Sequence, residues 1–160
     1  MIHCTFENGG KASLRHVTVN AFVVNNKNQV LLIKRAPHLI NGGKYGTPGG
    51  FLDRDETTEE GVLRELFEET GYKGKIKFLF QIVDSPKRPK EDRQNIDFRY
   101  VVEVVSGDSV LNKEVSEIKW FDIDKLPSDE EGAFDLLQGV KLYIEYLKKP
   151  FALPVINWNI

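Results

Sequence analysis

The chain has 160 residues, 41% hydrophobic and 29% charged, which predicts one globular domain spanning residues 1–160. Its formal net charge of −2 gives no reason to expect binding to nucleic acid or a membrane, and its single cysteine, Cys4, excludes an internal disulfide and a cysteine-rich zinc site. No apolar run is typical of a signal peptide or approaches the about 20 apolar residues of a membrane span, so we expect a cytoplasmic protein.

After a polar arm at residues 1–15, segments with strand-like and helix-like periodicity follow one another. In chain order, the predicted elements are strand 16–25, strand 29–35, helix 58–70, strand 73–83, strand 96–105, strand 115–123 and helix 133–149. The turn at 25–28 makes a hairpin of the first two strands, and prolines break the apolar tail at 150–160. This pattern predicts an α+β fold in which a β-sheet is flanked by at least two helices.

The first helix has clear signals at both ends. Thr57 is followed three residues later by Glu60, which is the spacing of a capping box, so the helix should begin near Thr58. Gly71 occupies the position where a left-handed residue is favoured after a helix, so the helix should end near Thr70.

This helix carries two faces of opposite character. The apolar face, which we expect to pack on the sheet, consists of Val62, Leu63, Leu66 and Phe67. Well away from it lie Glu65, Glu68 and Glu69, although the helix dipole disfavours negative charge in the last turn by about 0.3–1 kcal/mol. The acidic face is either simply solvated, as on many surface helices, or it binds a hard divalent cation such as Mg²⁺.

The spacing of residues 50–72 favours the cation site. Its fixed positions are Gly50, Glu56, Arg64, Glu65, Glu68, Glu69 and Gly71. This pattern resembles the Nudix box, the sequence motif of the Nudix hydrolase family, and seven identities give a chance match of roughly 10⁻⁸ per register. Tyr72 departs from the usual aliphatic residue at the last position, which affects packing rather than chemistry.

The resemblance implies a Nudix-type α/β/α sandwich, with a mixed β-sheet between helices. It also implies hydrolysis of a nucleoside diphosphate linked to another moiety, with Mg²⁺ or Mn²⁺ as the cofactor. Glu68 and Glu69 would be the core metal ligands, Glu65 a ligand or the general base, and the carbonyl of Gly49 a further ligand. Arg64 is assigned to the catalytic set, and we favour a supporting role for it over direct substrate contact.

Many family members add a carboxylate from a later loop. Glu114, six residues before Trp120, is favoured as this metal ligand or general base. Glu117 is the alternative, with a solvated position at a strand edge as its simpler interpretation.

Basic residues near the expected site are candidates for binding the phosphates or the terminal ribose of the substrate. These predicted substrate contacts are Arg35, Lys87, Arg88, Arg93 and Arg99. Pro86 lies near the position of a proline that marks ADP-ribose pyrophosphatases of the family, which favours ADP-ribose or a nucleotide sugar as the substrate. The alternatives are a (d)NTP pyrophosphohydrolase that cleanses the nucleotide pool and, from a different class, a non-catalytic ligand-binding module. The polar arm and the apolar tail leave a homodimer open.

Overall fold

A mixed β-sheet lies between two helices in the computed structural model, which describes residues 2–88 and 94–157. The strands are β1 (Ile2–Thr5), β2 (Lys11–Leu14), β3 (Val17–Val24), β4 (Gln29–Arg35), β5 (Tyr45–Gly46), β6 (Gly49–Phe51), β7 (Lys73–Val83), β8 (Ile96–Ser106), β9 (Val115–Asp122) and β10 (Val155–Ile156). The helices are α1 (Thr58–Thr70) and α2 (Leu136–Lys148), with a short 3-10 turn at Asp129–Glu131. This arrangement confirms the predicted α+β class and the α/β/α sandwich.

The strand order of the main sheet is β10–β7–β8–β3–β4–β5, with β6 paired to β3 and β9 paired to β4. The predicted hairpin of β3 and β4 exists, but only Val23 with Leu31 and Val24 with Val30 pair across it. Beyond these pairs the two strands diverge, and β6 pairs with the first half of β3 instead, which places Gly49 opposite Asn20. On its other edge β3 runs parallel to β8.

Successive residues of a strand point to opposite faces of a sheet, and the two faces here have separate cores. The core under α1 contains Val19, Ala21, Val23, Leu31, Val62, Leu66, Tyr100 and Val102. The core under α2 contains Phe22, Val30, Leu32, Phe80, Val101, Leu137, Val140 and Tyr143, among others. Fully burying a large apolar side chain stabilises a fold by about 1.5–3 kcal/mol, so both helices are held mainly by these contacts. Neither helix, nor any other in the described ranges, has the length and apolar character that crossing a membrane requires.

Three short pairings differ from the sequence prediction. Most of the predicted polar arm is an antiparallel hairpin, because β1 and β2 pair as a separate two-stranded sheet around a turn with a left-handed Gly9. The predicted loop 36–48 contains β5, which pairs with β4. In the tail, β10 pairs in parallel with β7. A homodimer through the arm and tail stays a prediction.

Candidate active site

The caps of α1 are those that the sequence predicts, and they fix the helix that carries the glutamates. The helix begins at Thr58, and both capping-box hydrogen bonds between Thr57 and Glu60 are present. It ends at Thr70, and the next residue, Gly71, has a left-handed backbone and donates its N–H to the carbonyl of Phe67 at 2.8 Å.

The faces of α1 are distributed differently from the prediction. Phe67 does not pack on the sheet, since its side chain is half exposed and Lys73 lies over its ring. Glu69 takes the inward position instead, with only 6% of its surface exposed. Glu69 is seven residues after Val62 and three after Leu66, so it continues the buried stripe of the helix. The three glutamates therefore do not share one solvated face.

A cavity of about 580 Å³ lies where β6 meets β3. Its acidic part is lined by Gly49, Gly50, Glu65, Glu69 and Glu114, with Arg35 beside them. Its remaining lining includes Thr18, Asn20, Phe51, Arg88, Asp97 and Phe134. The structure thus brings three of the predicted carboxylates to one cavity.

The carboxylate of Glu69 is held in an unfavourable environment for its charge. Burial raises its pKa to about 8, and the negative charges of Glu65 and Glu114 act in the same direction. The N–H of Gly49, which donates to Oε2 of Glu69 at 2.8 Å, and the cation of Arg35 lower the pKa but do not outweigh burial. A cation bound beside Glu69 would stabilise the ionised carboxylate and lower this pKa.

Two glycines allow the backbone to lie against the carboxylates. A Cβ at Gly49 would lie 2.2 Å from the carbonyl oxygen of Val19, and a Cβ at Gly50 would lie 2.4 Å from Oε1 of Glu65. Both distances are far inside van der Waals contact, so any side chain would displace β6 or the carboxylate. Close backbone approach is a reason for glycine at these positions.

Arg64 joins the loop before α1 to the acidic residues of the helix. Its guanidinium donates from Nε and Nη2 to the two carboxylate oxygens of Glu56 at 3.0 and 2.7 Å. It also donates from Nη1 to Glu65 at 2.9 Å and to Glu68 at 3.1 Å, and from Nη2 to the carbonyl of Phe51 at 3.0 Å. Such a bidentate pair is directional, so these contacts support the favoured role of Arg64 in holding the glutamates in place.

The donor set of the cavity suits a hard divalent cation, because carboxylate and carbonyl oxygens are the ligands that Mg²⁺ and Mn²⁺ prefer. Burial raises the pKa of Glu65 as it does that of Glu69, although Arg64 opposes the shift. Over residues 2–88 and 94–157, no three His, Cys, Asp or Glu side chains are gathered closely enough to hold an ion as they stand. Since Arg64 holds Glu65 and Glu68 while Gly49 holds Glu69, we expect these side chains to rotate on metal binding.

Of the two later carboxylates, Glu114 lines the cavity. Glu117 instead accepts a hydrogen bond from the Tyr45 hydroxyl at 3.0 Å and lies 3.8 Å from Nζ of Lys34. The register of β9 against β4 places Glu117 opposite Lys34. This explains why the Glu117 side chain contacts Lys34 and Tyr45. Glu114 is therefore at the cavity and Glu117 is not among its lining residues, while the role of Glu114 stays a prediction.

The predicted substrate contacts are scattered. Arg35 and Arg88 line the cavity, whereas Lys87 is exposed and does not line it. Arg93 lies outside the described residues. Arg99 is 1% exposed and fully engaged inside the protein, so the prediction that it contacts substrate is replaced by a role in supporting the cavity wall.

Arg99 belongs to a buried network that sequence reasoning missed. Its guanidinium donates to Asp97 at 2.7 Å, to Gln81 at 3.0 Å and to Asp135 at 2.6 Å. Arg88 makes a two-atom contact with the same Asp135, at 2.8 and 3.1 Å. Burial acts to raise the pKa of Asp135, but the two arginines outweigh it and lower the pKa overall. A signal is present in the sequence, since Asp97 and Arg99 lie two residues apart, on one face of a largely apolar strand.

A sequence model of the NUDIX domain matches residues 14–140. An ADP-ribose pyrophosphatase from Methanocaldococcus jannaschii is 33% identical over 124 residues, which are 78% of this chain and 70% of that protein. A NUDIX hydrolase structure from Nitrosomonas europaea superposes with a TM-score of 0.79 at 23% identity, over 92% of this chain and 81% of the other. An ADP-ribose pyrophosphatase structure from Streptococcus suis gives a TM-score of 0.69 at 18% identity, over 89% and 99% of the two chains. The two structures establish likeness of fold.

Proposed function

Because the chain belongs to the NUDIX hydrolase family, we propose that it hydrolyses the pyrophosphate bond of a nucleoside diphosphate linked to another moiety. ADP-ribose or a nucleotide sugar is the favoured substrate. The observation that carries the proposal is the meeting of Glu65, Glu69 and Glu114 at one cavity against the glycine backbone of β6.

The residues that would hold Mg²⁺ or Mn²⁺ are Glu65, Glu68 and Glu69, with Glu114 and the carbonyl of Gly49. When bound, the metal supplies charge neutralisation on the diphosphate and a lower pKa for the attacking water. The two glycines would let the diphosphate approach the carboxylates, since β6 itself carries no side chain at Gly49 and Gly50. Nη1 of Arg64 donates to both Glu65 and Glu68, which holds their two carboxylates close together.

We assign the general base to Glu114. A base must accept a proton from the attacking water, and one oxygen of Glu65 already accepts a hydrogen bond from the guanidinium of Arg64 at 2.9 Å. Glu114 lines the same cavity as Glu65 and Glu69 but comes from the loop before β9.

The substrate preference has two supports. The relative from Methanocaldococcus jannaschii, which is named an ADP-ribose pyrophosphatase, is similar over 78% of this chain. Pro86 lies near the position of the family's ADP-ribose marker. A (d)NTP pyrophosphohydrolase uses the same carboxylates, so only substrate turnover separates the two activities.

The test is a substrate panel with Mg²⁺, containing ADP-ribose, nucleotide sugars, dinucleoside polyphosphates and (d)NTPs. We expect ADP-ribose or a nucleotide sugar to be turned over best, and Glu69→Gln to lose this activity. Glu59→Gln is the matched control, because Glu59 is an exposed residue of the first turn of the same helix. Absence of turnover of every substrate by the wild type would refute the enzymatic proposal, and best turnover of (d)NTPs would refute the favoured substrate.

A further inference from the structure

The loop 107–114, which precedes β9, caps the C-terminal end of α1. The last carbonyls of a helix have no partner inside the helix and need one elsewhere. The carbonyl of Thr70 accepts a hydrogen bond from the N–H of Val110 at 2.9 Å. The carbonyl of Glu68 accepts one from Nδ2 of Asn112 at 2.8 Å. Part of this loop is therefore fixed to the same helix turn that carries Glu68 and Glu69.

The other end of the Asn112 amide holds the backbone of Glu114. Its Oδ1 accepts hydrogen bonds from the N–H of Glu114 at 2.8 Å and from the N–H of Val115 at 3.0 Å. This is a local side-chain-to-backbone turn of the kind that asparagine favours. The side-chain amide of Asn112 thus connects α1 with the backbone of Glu114.

The backbone of Glu114 is also tied from the other side, since its carbonyl accepts a hydrogen bond from the N–H of Ala36 at 2.8 Å. Arg35, the preceding residue, lines the same cavity. The Glu114 carboxylate is close enough to Glu65 and Glu69 for its charge to raise the pKa of both. Asn112 therefore ties the backbone of Glu114 directly to α1, in addition to the Val110 contact earlier in the loop, while Ala36 ties it to the end of β4.

We propose that Asn112 is a positioning residue for hydrolysis, which sets the distance between Glu114 and the glutamates of α1. The inference rests on the proposed function, because it gives Glu114 the role of general base. The hydrogen bonds of Asn112 lie at the exposed surface, so their loss leaves the fold intact. A small displacement of a reacting group can still lower the rate by about a hundredfold.

The test compares two substitutions of Asn112. Asn112→Ala removes both ends of the link, and Asn112→Asp keeps the acceptor for the Glu114 N–H but removes the donor to the Glu68 carbonyl. We expect both to lower kcat by about ten- to a hundredfold with KM within about twofold of wild type. Asn8→Ala is the matched control, because Oδ1 of Asn8 holds a similar turn, through the N–H of Gly10, in the remote β1–β2 hairpin.

A double-mutant cycle with Glu114→Gln separates positioning from a general structural effect. If Asn112 acts through Glu114, Asn112→Ala changes kcat by less than about twofold once Glu114→Gln is present. An equal loss in both backgrounds would overturn the inference, as would wild-type kcat in either Asn112 variant. Wild-type kcat in Glu114→Gln alone would instead overturn the general base of the proposed function, and the inference with it.

Amide hydrogen exchange on the metal-free proteins gives a readout independent of activity. In Asn112→Ala the amides of Glu114 and Val115 should exchange at least about tenfold faster, whereas in Asn112→Asp they stay protected. The Asn8→Ala control should leave both amides unchanged. Unchanged exchange of these amides in Asn112→Ala would show that Asn112 does not hold the loop.

Discussion

Glu69→Gln should make the metal-free protein more stable at neutral and mildly alkaline pH, although it removes a proposed metal ligand. Burial raises the pKa of Glu69 to about 8 in the folded protein, from 4.5 for an ordinary glutamate. The folded chain therefore binds this proton more tightly than the unfolded chain does. The resulting stability is fully present below pH 4.5 and is lost as the pH rises towards 8.

The magnitude follows from the size of the shift. A difference of about 3.5 pKa units corresponds to about 5 kcal/mol of unfolding free energy in full, of which about 3–4 kcal/mol is lost between pH 5 and pH 8. For a chain of this length, that loss lowers the melting temperature by about 10 °C. Glutamine stays neutral throughout, so the variant should not show this part of the loss.

The assay is urea unfolding of wild type, Glu69→Gln and the exposed control Glu59→Gln at several pH values, each with a chelator present. Wild type and Glu59→Gln should lose stability in parallel from pH 5 to pH 8, while Glu69→Gln loses about 3–4 kcal/mol less. A difference between wild type and Glu69→Gln that does not change with pH would refute the reasoning, because the burial of Glu69 would then carry no electrostatic cost.

Three further substitutions test the supports of the cavity. Arg64→Lys keeps the charge but loses the two-atom contact with Glu56, so kcat/KM should fall by about ten- to a hundredfold in steady-state assays. Gly49→Ala places a Cβ 2.2 Å from the carbonyl of Val19, and thermal unfolding should show a loss of about 1–3 kcal/mol. Arg99→Met leaves the buried carboxylates of Asp97 and Asp135 with one arginine in place of two, and the uncompensated negative charge should cost about 3–5 kcal/mol in denaturant unfolding.

For each of these three substitutions, one result would contradict the expected role of the residue. Full activity of Arg64→Lys would mean that the guanidinium geometry does not place the glutamates. A Gly49→Ala protein as stable as wild type would show that β6 can move away from β3 at no cost. If Arg99→Met unfolds at the wild-type denaturant concentration, the charges of the buried network are not coupled to folding.

Much of the fold is predictable because its signals are local. The caps of α1 depend on residues within four positions of one another, and the bounds Thr58–Thr70 follow from them. The strand Lys73–Val83 likewise has the bounds that its apolar pattern predicts. The hairpin of β1 and β2 has a weaker signal, because each strand has only four residues and is mostly exposed.

The site is less predictable because burial depends on the whole fold. The charge of Glu69 predicts a solvated position, yet its spacing from Val62 and Leu66 places it beside the apolar stripe, and packing of the helix buries it. Arg99 resembles a substrate contact in the sequence, since its partner Asp135 is 36 residues away. The choice of Glu114 over Glu117 stays a prediction, and only the register of β9 shows where Glu117 points.

The most direct test of metal-dependent hydrolysis at this cavity is a Mg²⁺ titration of activity on the best substrate of the panel. Wild type should be inactive with chelator and should reach a saturating rate as Mg²⁺ is added. Glu69→Gln should remain at least about a hundredfold slower at saturation, while Glu59→Gln follows wild type. Chelator-resistant turnover by wild type, or a wild-type rate in Glu69→Gln, would contradict the account.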